Sequence, residues 1–280
     1  MEGIAVIQQD KIQPLDFGWL PTERTCGCPQ GRLNCLTRAE LTQLGSTVMD
    51  VKPRQRWREY HGGRFIPQVP EKFIRLFSHP GETVLDPFCG SGTTNIIAKE
   101  LGRNSIGIDV NSYSTNMTVH RLNQLGWLDG VIANTRHLII QGNCVDIMKE
   151  VPAGVIDLVI TSPPYFDVVD YKDESPEQWG NIHQYSLFLE KMAGAFEHLY
   201  KVVKPKGFLV VVPQDVYKRD AKCPLHADYI HICRGLGLEV ISTQVYILNY
   251  STGGRLVYGY PRSYYPKNDH EFIVIFQKAG

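Results

Sequence analysis

The sequence contains no apolar run approaching the roughly 20 residues that a membrane-spanning helix requires. Its opening stretch, Met1-Glu-Gly-Ile-Ala-Val-Ile-Gln-Gln-Asp10, lacks a basic segment followed by an apolar core, so a soluble, non-exported protein is expected. Neither charge is in excess: 29 Lys plus Arg balance 29 Asp plus Glu, so a nucleic-acid surface must be a local patch rather than a global field. The seven cysteines are odd in number, scattered, and never spaced C-x2-C. That excludes a secreted disulfide framework and fits reduced thiols in the cytoplasm. The G-x-G-x-x-G dinucleotide fingerprint is also missing, because Asn95 stands where the third glycine would be. There is no internal repeat and no low-complexity tract.

What is present is a core. With 280 residues, 43% of them hydrophobic, the chain suffices for one well-buried α/β catalytic domain plus an appendage. Residues 1–64 carry few long apolar runs and two glycine or proline clusters, Cys26-Gly-Cys-Pro-Gln-Gly31 and His61-Gly-Gly63, and read as an irregular N-terminal extension. Residues 65–280 read as the catalytic domain. Helical spacing begins at Pro70-Glu-Lys-Phe-Ile-Arg-Leu-Phe77 and stops at His79-Pro-Gly81. Strands are predicted over 83–85, 105–109, 137–140, 156–160 and 208–212, and helices over 93–101, 114–125 (with Tyr113, Met117, Val119 and Leu122 among the apolar positions) and 187–203, the last closed by Lys204-Pro-Lys-Gly207. Two final strands, 238–248 and 272–276, have no evident helix between them, which suggests an antiparallel pair. The expected architecture is a doubly wound, mainly parallel sheet with a terminal antiparallel hairpin.

Two loops carry the chemistry, each at the carboxyl end of a strand, where open α/β sheets bind their ligands. In Asp86-Pro-Phe-Cys-Gly-Ser-Gly-Thr-Thr94, Gly90 and Gly92 permit positive φ and close backbone approach, and the following helix starts with unpaired N–H groups. A structural turn, a dinucleotide site and a nucleoside-cofactor site all remain open on this loop alone. Asp86 within it favours a ligand bearing positive charge over a pyrophosphate. Asp109 ends the next strand, where an acid commonly bonds a ribose hydroxyl, and Asp146 follows the third. Each acid is also compatible with a helix cap. In Thr161-Ser-Pro-Pro-Tyr165 the prolines hold the backbone extended, and the loop offers the Ser162 hydroxyl, the Pro163 carbonyl and the Tyr165 ring. Those groups suit an exocyclic amine on a planar base, although a rigid turn with a buried Tyr explains the same residues.

Together the loops resemble those of the S-adenosylmethionine-dependent DNA amino-methyltransferases, which modify N4 of cytosine or N6 of adenine. The resemblance runs from Phe65 to Gly280 and includes Phe65-Ile-Pro67, Pro80-Gly-Glu-Thr-Val-Leu-Asp-Pro-Phe88, Gly102-Arg-Asn-Ser-Ile-Gly-Ile-Asp109, Ser162-Pro-Pro-Tyr165 with Asp170-Tyr171, Lys204-Pro-Lys-Gly207 and Tyr264-Tyr-Pro-Lys-Asn-Asp-His-Glu-Phe272. It implies a class I methyltransferase, Rossmann-like fold. It further implies S-adenosylmethionine held by Pro67, Asp86, Pro87, Phe88, Gly90, Ser91, Gly92, Thr93, Asp109 and Asp146, and catalysis by Ser162, Pro163, Pro164 and Tyr165. Serine at the head of the catalytic loop is usual in cytosine-N4 enzymes, whereas adenine-N6 enzymes more often carry Asp or Asn. The implied partners are double-stranded DNA, its target base flipped out of the stack, and a cognate restriction endonuclease, with the protein at the nucleoid. A cofactor loop of this spelling usually follows the catalytic loop; here it precedes it, as in a circular permutation that leaves the folded site intact.

The element that selects a DNA sequence is left open among the N-terminal segment, the loop after Tyr165 and the stretch 213–268. Lys52 to Phe65 interleaves Arg54, Arg56, Arg58 and Arg64 with aromatics, as phosphate-contacting segments do. Asp170 and Tyr171 flank the catalytic loop, and Arg255, Tyr258, Tyr260, Arg262 and Lys267 form a second patch. An RNA guanine or adenine amino-methyltransferase is the nearest competing function, and a non-catalytic cofactor-binding regulator a more distant one. Cys26, Cys28 and Cys35, with His61 as a fourth ligand, invite a zinc reading. The spacing C-x-C-x6-C lacks the paired cysteines of well-marked sites, so no metal is assigned.

Overall fold

The computed structural model describes residues 4, 6–8, 17–20, 24–29, 31–50, 66–125, 135–167, 175–218, 221–247, 257–258, 265–266 and 269–280. The N-terminal part contains β1 (Val6–Gln8), α1 (Arg38–Leu44) and β2 (Val48–Met49). Alternation follows: α2 (Gln68–Phe77), β3 (Thr83–Asp86), α3 (Thr93–Glu100), β4 (Asn104–Asp109), α4 (Ser112–Gln124), β5 (His137–Gln141), α5 (Cys144–Glu150) and β6 (Ile156–Thr161). The remainder is α6 (Tyr185–Val202), β7 (Val203–Val211), β8 (Val216–Lys218), β9 (Ala221–Cys223), α7 (Leu225–Gly235), β10 (Leu238–Ile247), β11 (Val257–Tyr258), β12 (Tyr265–Pro266) and β13 (His270–Lys278).

Nine strands form one sheet in the order β1-β5-β4-β3-β6-β7-β13-β10-β2. All its pairings are parallel except those of β13, which runs antiparallel to both β7 and β10. Both faces are covered, so the middles of the central strands carry apolar residues on both faces rather than alternating with polar ones. Leu85, Val159, Leu209, Val211, Val274 and Phe276 face α5, α6 and α7. Their neighbours Val84, Leu158, Ile160, Val210, Ile273 and Ile275 face α2 and α3. This is the Rossmann-like, doubly wound sheet expected of a class I methyltransferase.

β10 and β13 pair antiparallel as expected, with β13 inserted between β7 and β10, so that β10 itself runs with the parallel strands. Other expectations need correction. Lys204-Pro-Lys-Gly207 is part of β7 rather than a helix stop; a register shift against β6 and a positive φ of 64° at Lys206 accommodate it. On α4 the buried face is Thr115, Thr118, Arg121 and Leu122, while Tyr113 is 67% exposed, because the Thr118 hydroxyl and the Arg121 guanidinium bond backbone of the glycine loop and the Thr115 hydroxyl bonds the helix's own Ser112 carbonyl. Helices α5 and α7 escaped the sequence reading, since their buried positions include Cys144, Tyr229 and Cys233, which do not stand out as an apolar stripe. The N-terminal segment is not wholly irregular. β1 pairs with β5 at one edge of the sheet and β2 with β10 at the other, and α1 opens with a capping box between Thr37 and Glu40.

Candidate active site

The β3–α3 loop turns on its glycines. Gly92 has φ of +78°, and a Cβ there would stand 2.3 Å from the Thr118 side chain, so α3 and α4 approach as only glycine allows. Gly90, at φ of +50°, has open space where a Cβ would stand. Helix α4 fixes the loop from outside: Thr118 Oγ1 donates to the Gly90 carbonyl at 2.9 Å, and Arg121 donates to the Ser91 carbonyl and, at 3.2 Å, to its hydroxyl. Cys89 is buried within this loop, and burial holds its thiol well above the usual range.

Asp86 is 2% exposed at the end of β3. One carboxylate oxygen accepts from Thr94 Oγ1 at 2.7 Å; the other accepts from Thr161 Oγ1 at 2.7 Å and from the Phe88 N–H at 3.2 Å. Burial pushes its pKa up to about 6 despite these three donors. The carboxylate is therefore a brace between the two loops, and strands β3 and β6, which carry them, are adjacent. Asp109 ends β4 with one oxygen on the Gly90 N–H at 2.8 Å and the other on the Asn111 N–H at 2.9 Å. These two bonds fix the orientation of the Asp109 carboxylate at the end of β4. Asp146 lies in the first turn of α5, half-exposed, paired with Lys149 at 2.7 Å.

The catalytic-loop candidates follow Thr161. Ser162 donates its hydroxyl proton to the Val212 carbonyl at 3.3 Å, which turns its lone pairs away from β7, and its oxygen is 3.5 Å from the Tyr165 hydroxyl. Tyr165 in turn donates to Glu271 on β13 at 3.4 Å. Pro163 is buried, while Ser162, Pro164 and Tyr165 are half-buried. Phe166 and Phe188 pack beneath the loop, and Phe88 meets Trp179 edge-on at 5.7 Å, joining the glycine loop to the segment beyond the catalytic loop.

The structure thus gathers Asp86, Pro87, Phe88, Gly90, Ser91, Gly92, Thr93, Asp109, Ser162, Pro163, Pro164 and Tyr165 at the carboxyl end of the parallel strands. Pro67 lies apart from them in sequence, buried at the start of α2. Arg54, Arg56, Arg58, Arg64, Asp170, Tyr171, Arg255 and Arg262 lie outside the described residues, as does His61. Cys26, Cys28 and Cys35 converge at the opposite end of β3 on His79, which sequence reading took only as a helix stop. Thr94, Thr161 and Glu271 stand within the quoted motifs without an assigned role, and Thr118 and Arg121 outside them; all five hold neighbouring loops, through partners that sequence spacing does not reveal.

The donor set fits S-adenosylmethionine: an approachable glycine backbone at Gly90, an oriented carboxylate at the end of β4, and a buried acid beside the loop. Comparisons with known proteins agree. The DNA methylase family profile for N6 and N4 enzymes matches residues 32–119 and 156–280. A Type II methyltransferase of Methanocaldococcus jannaschii, M.MjaII, is 41% identical over 69 residues, covering 23% of this chain and 13% of that protein. The tRNA (guanine(10)-N2)-dimethyltransferase of the same organism is 28% identical over 203 residues, 69% of this chain and 52% of that protein. These alignments leave about half or more of each relative's length unmatched. In fold, the structure of a precorrin 8w decarboxylase from Methanobacterium thermoautotrophicum superposes on 81% of this chain and 99% of that chain with a TM-score of 0.51, at 14% identity. With its two loops braced through Asp86 at the carboxyl end of the central strands of a class I sheet, and with the family profile spanning both, the chain belongs to the S-adenosylmethionine-dependent DNA amino-methyltransferase family.

Proposed function

We propose that the chain transfers the methyl group of S-adenosylmethionine to an exocyclic amine of a base in double-stranded DNA, and that this amine is N4 of cytosine. The observation that carries the reading is the pair of 2.7 Å bonds from Thr94 and Thr161 to Asp86, which couples the glycine loop to Ser162-Pro-Pro-Tyr165 on the neighbouring strand. Binding of a cofactor alone gives no reason for that coupling; a transfer between two bound molecules does. Serine at position 162 supports cytosine over adenine.

The cofactor supplies an electrophilic methyl on its sulfonium. The amine's lone pair is delocalised into the base until the amine is held out of that conjugation. Because the Ser162 proton is directed to Val212, the Ser162 oxygen faces the amine as an acceptor, and the Pro163 carbonyl takes the second N–H. Both acceptors would stabilise the positive charge that develops on nitrogen as it bonds the methyl and the methyl–sulfur bond breaks; the neutral thioether S-adenosylhomocysteine would be the leaving group, and the nitrogen would then lose one proton to solvent. Tyr165, steadied by Glu271, stacks on the flipped base and returns ~1–3 kcal/mol of the cost of unstacking it. A restriction endonuclease of the same sequence specificity, in the cytoplasm near the nucleoid, would be the natural partner of such an activity.

A second reading, transfer to N2 of guanine in RNA, is favoured by the tRNA relative and by a match of residues 81–201 to the RNA cap guanine-N2 methyltransferase family. Incubating the protein with methyl-labelled cofactor and either duplex DNA or tRNA, followed by nucleoside mass spectrometry, separates the readings. The expected product is N4-methylcytosine from DNA. N6-methyladenine would correct the base, and label confined to tRNA would overturn the DNA assignment.

A further inference from the structure

We propose that Cys26, Cys28, Cys35 and His79 form a structural zinc site that fastens the N-terminal segment to the corner between α2 and β3. Their ligand atoms all lie within 4.8 Å of one another. The nearest approaches are Cys26 Sγ to His79 Nδ1 at 3.2 Å, Cys35 Sγ to His79 Nδ1 at 3.3 Å, and Cys28 Sγ to Cys35 Sγ at 3.3 Å. A tetrahedral zinc bonded at about 2.3 Å to sulfur and about 2.0 Å to nitrogen separates its ligand atoms by about 3.5–3.8 Å. Closing this set around an ion therefore takes shifts of at most about 1 Å. A disulfide is a poorer fit, since 3.3 Å between Cys28 and Cys35 far exceeds a sulfur–sulfur bond of about 2.05 Å.

The surroundings are those of a metal ligand set. His79 is 1% exposed, and its Nε2 lies 2.9 Å from the Arg32 carbonyl. A carbonyl only accepts, so Nε2 carries the hydrogen and Nδ1 presents its lone pair to the three sulfurs, the arrangement by which an outer partner orients a ligating imidazole. Three thiolates around a divalent ion leave one negative charge, and the buried Arg103 guanidinium, bonded to Ser78, is close enough to Cys26 and Cys35 to feel their charge. Three thiolates and an imidazole in a tetrahedron select zinc over hard cations such as magnesium or calcium. All four positions are filled by protein, so the site is closed and structural.

The position explains what the ion would do. Around it, Thr25 donates its backbone N–H to the Pro80 carbonyl at 3.1 Å, Arg24 pairs with Glu82 at 2.9 Å, and Asn34 bonds the Leu76 carbonyl at 2.8 Å. Gly81, at φ of +84°, lets Thr25 approach so closely that a Cβ would lie 2.6 Å from it. The site lies at the amino end of β3, whose carboxyl end carries the transfer site, so its role does not depend on which nucleic acid is modified.

The test is elemental analysis of the purified full-length protein, with expected content of one zinc per chain. The double variant Cys28→Ser/Cys35→Ser should lose that zinc, whereas His79→Cys should keep it. Should the double variant fail to fold, cobalt exchanged into the wild-type protein decides: intense visible bands of a tetrahedral thiolate site support the assignment, and pale octahedral cobalt overturns it. Wild-type protein without zinc after growth in zinc-supplemented medium, zinc retained by the folded double variant, or a Cys28–Cys35 disulfide found by mass spectrometry would each overturn it.

Discussion

The Ser162 hydroxyl proton is directed to the Val212 carbonyl, which leaves the oxygen lone pairs for the amine in the proposed reaction. Ser162→Ala removes that acceptor and leaves the backbone in place, so kcat should fall about a hundredfold with KM little changed, measured with labelled cofactor under saturating DNA. Asp86 gives a prediction of a different kind. Its carboxyl is raised by burial from 3.8 to about 6, so between those values the native state holds a proton that the unfolded chain releases. The stability it contributes is full below pH 3.8 and lost as pH rises through about 6. Asp86→Asn abolishes that titration, so the difference in thermal midpoint, variant minus wild type, should grow from pH 4 to pH 8. A difference that stays flat with pH would show that the carboxyl does not titrate in this window. Which residues could be read from sequence follows from the range of their interactions. Gly90, Gly92 and Ser162-Pro-Pro-Tyr165 announce local backbone constraints, whereas His79 meets Cys26 and Cys35 only after intervals of 53 and 44 residues. Glu271 reaches Tyr165 across 106 residues, and no local pattern marks it.

The elements were legible where a buried strand met a turn. β3, β4, β5 and β6 lie close to their predicted places because both sheet faces are covered and each strand carries an uninterrupted or nearly uninterrupted apolar stretch. Short strands such as β1 and β2 carry too few residues to show any period, and they exist because a longer strand offers its edge. The junction of α3 with its loop is the most constrained element boundary. Gly92→Ala would force a Cβ against Thr118 at 2.3 Å and a side chain into a positive φ, so urea denaturation should show a loss of about 2–4 kcal/mol. Because Thr118 also holds the Gly90 carbonyl, the same variant should weaken cofactor binding, which calorimetry would report.

Across the whole molecule, the N-terminal segment touches both ends of the sheet. β1 covers the edge of β5 and β2 the edge of β10, and Lys72 on α2, lowered by burial to about 8, ties the second edge by bonding Ser46 and Gln244. Unpaired strand edges invite association. Removing residues 1–50 should therefore yield a protein that oligomerises in a concentration-dependent way, visible by sedimentation velocity, while the full chain under the same conditions does not. The two edge pairings also impose an order on biosynthesis. β1 and β2 leave the ribosome before their partners, and Val48 must wait for Val245, which belongs to one of the last strands to be translated. β1 can dock as soon as β5 has emerged, whereas β2 waits for β10, and the nascent chain carries its clasp, Cys26, Cys28 and Cys35, unclosed until His79 follows.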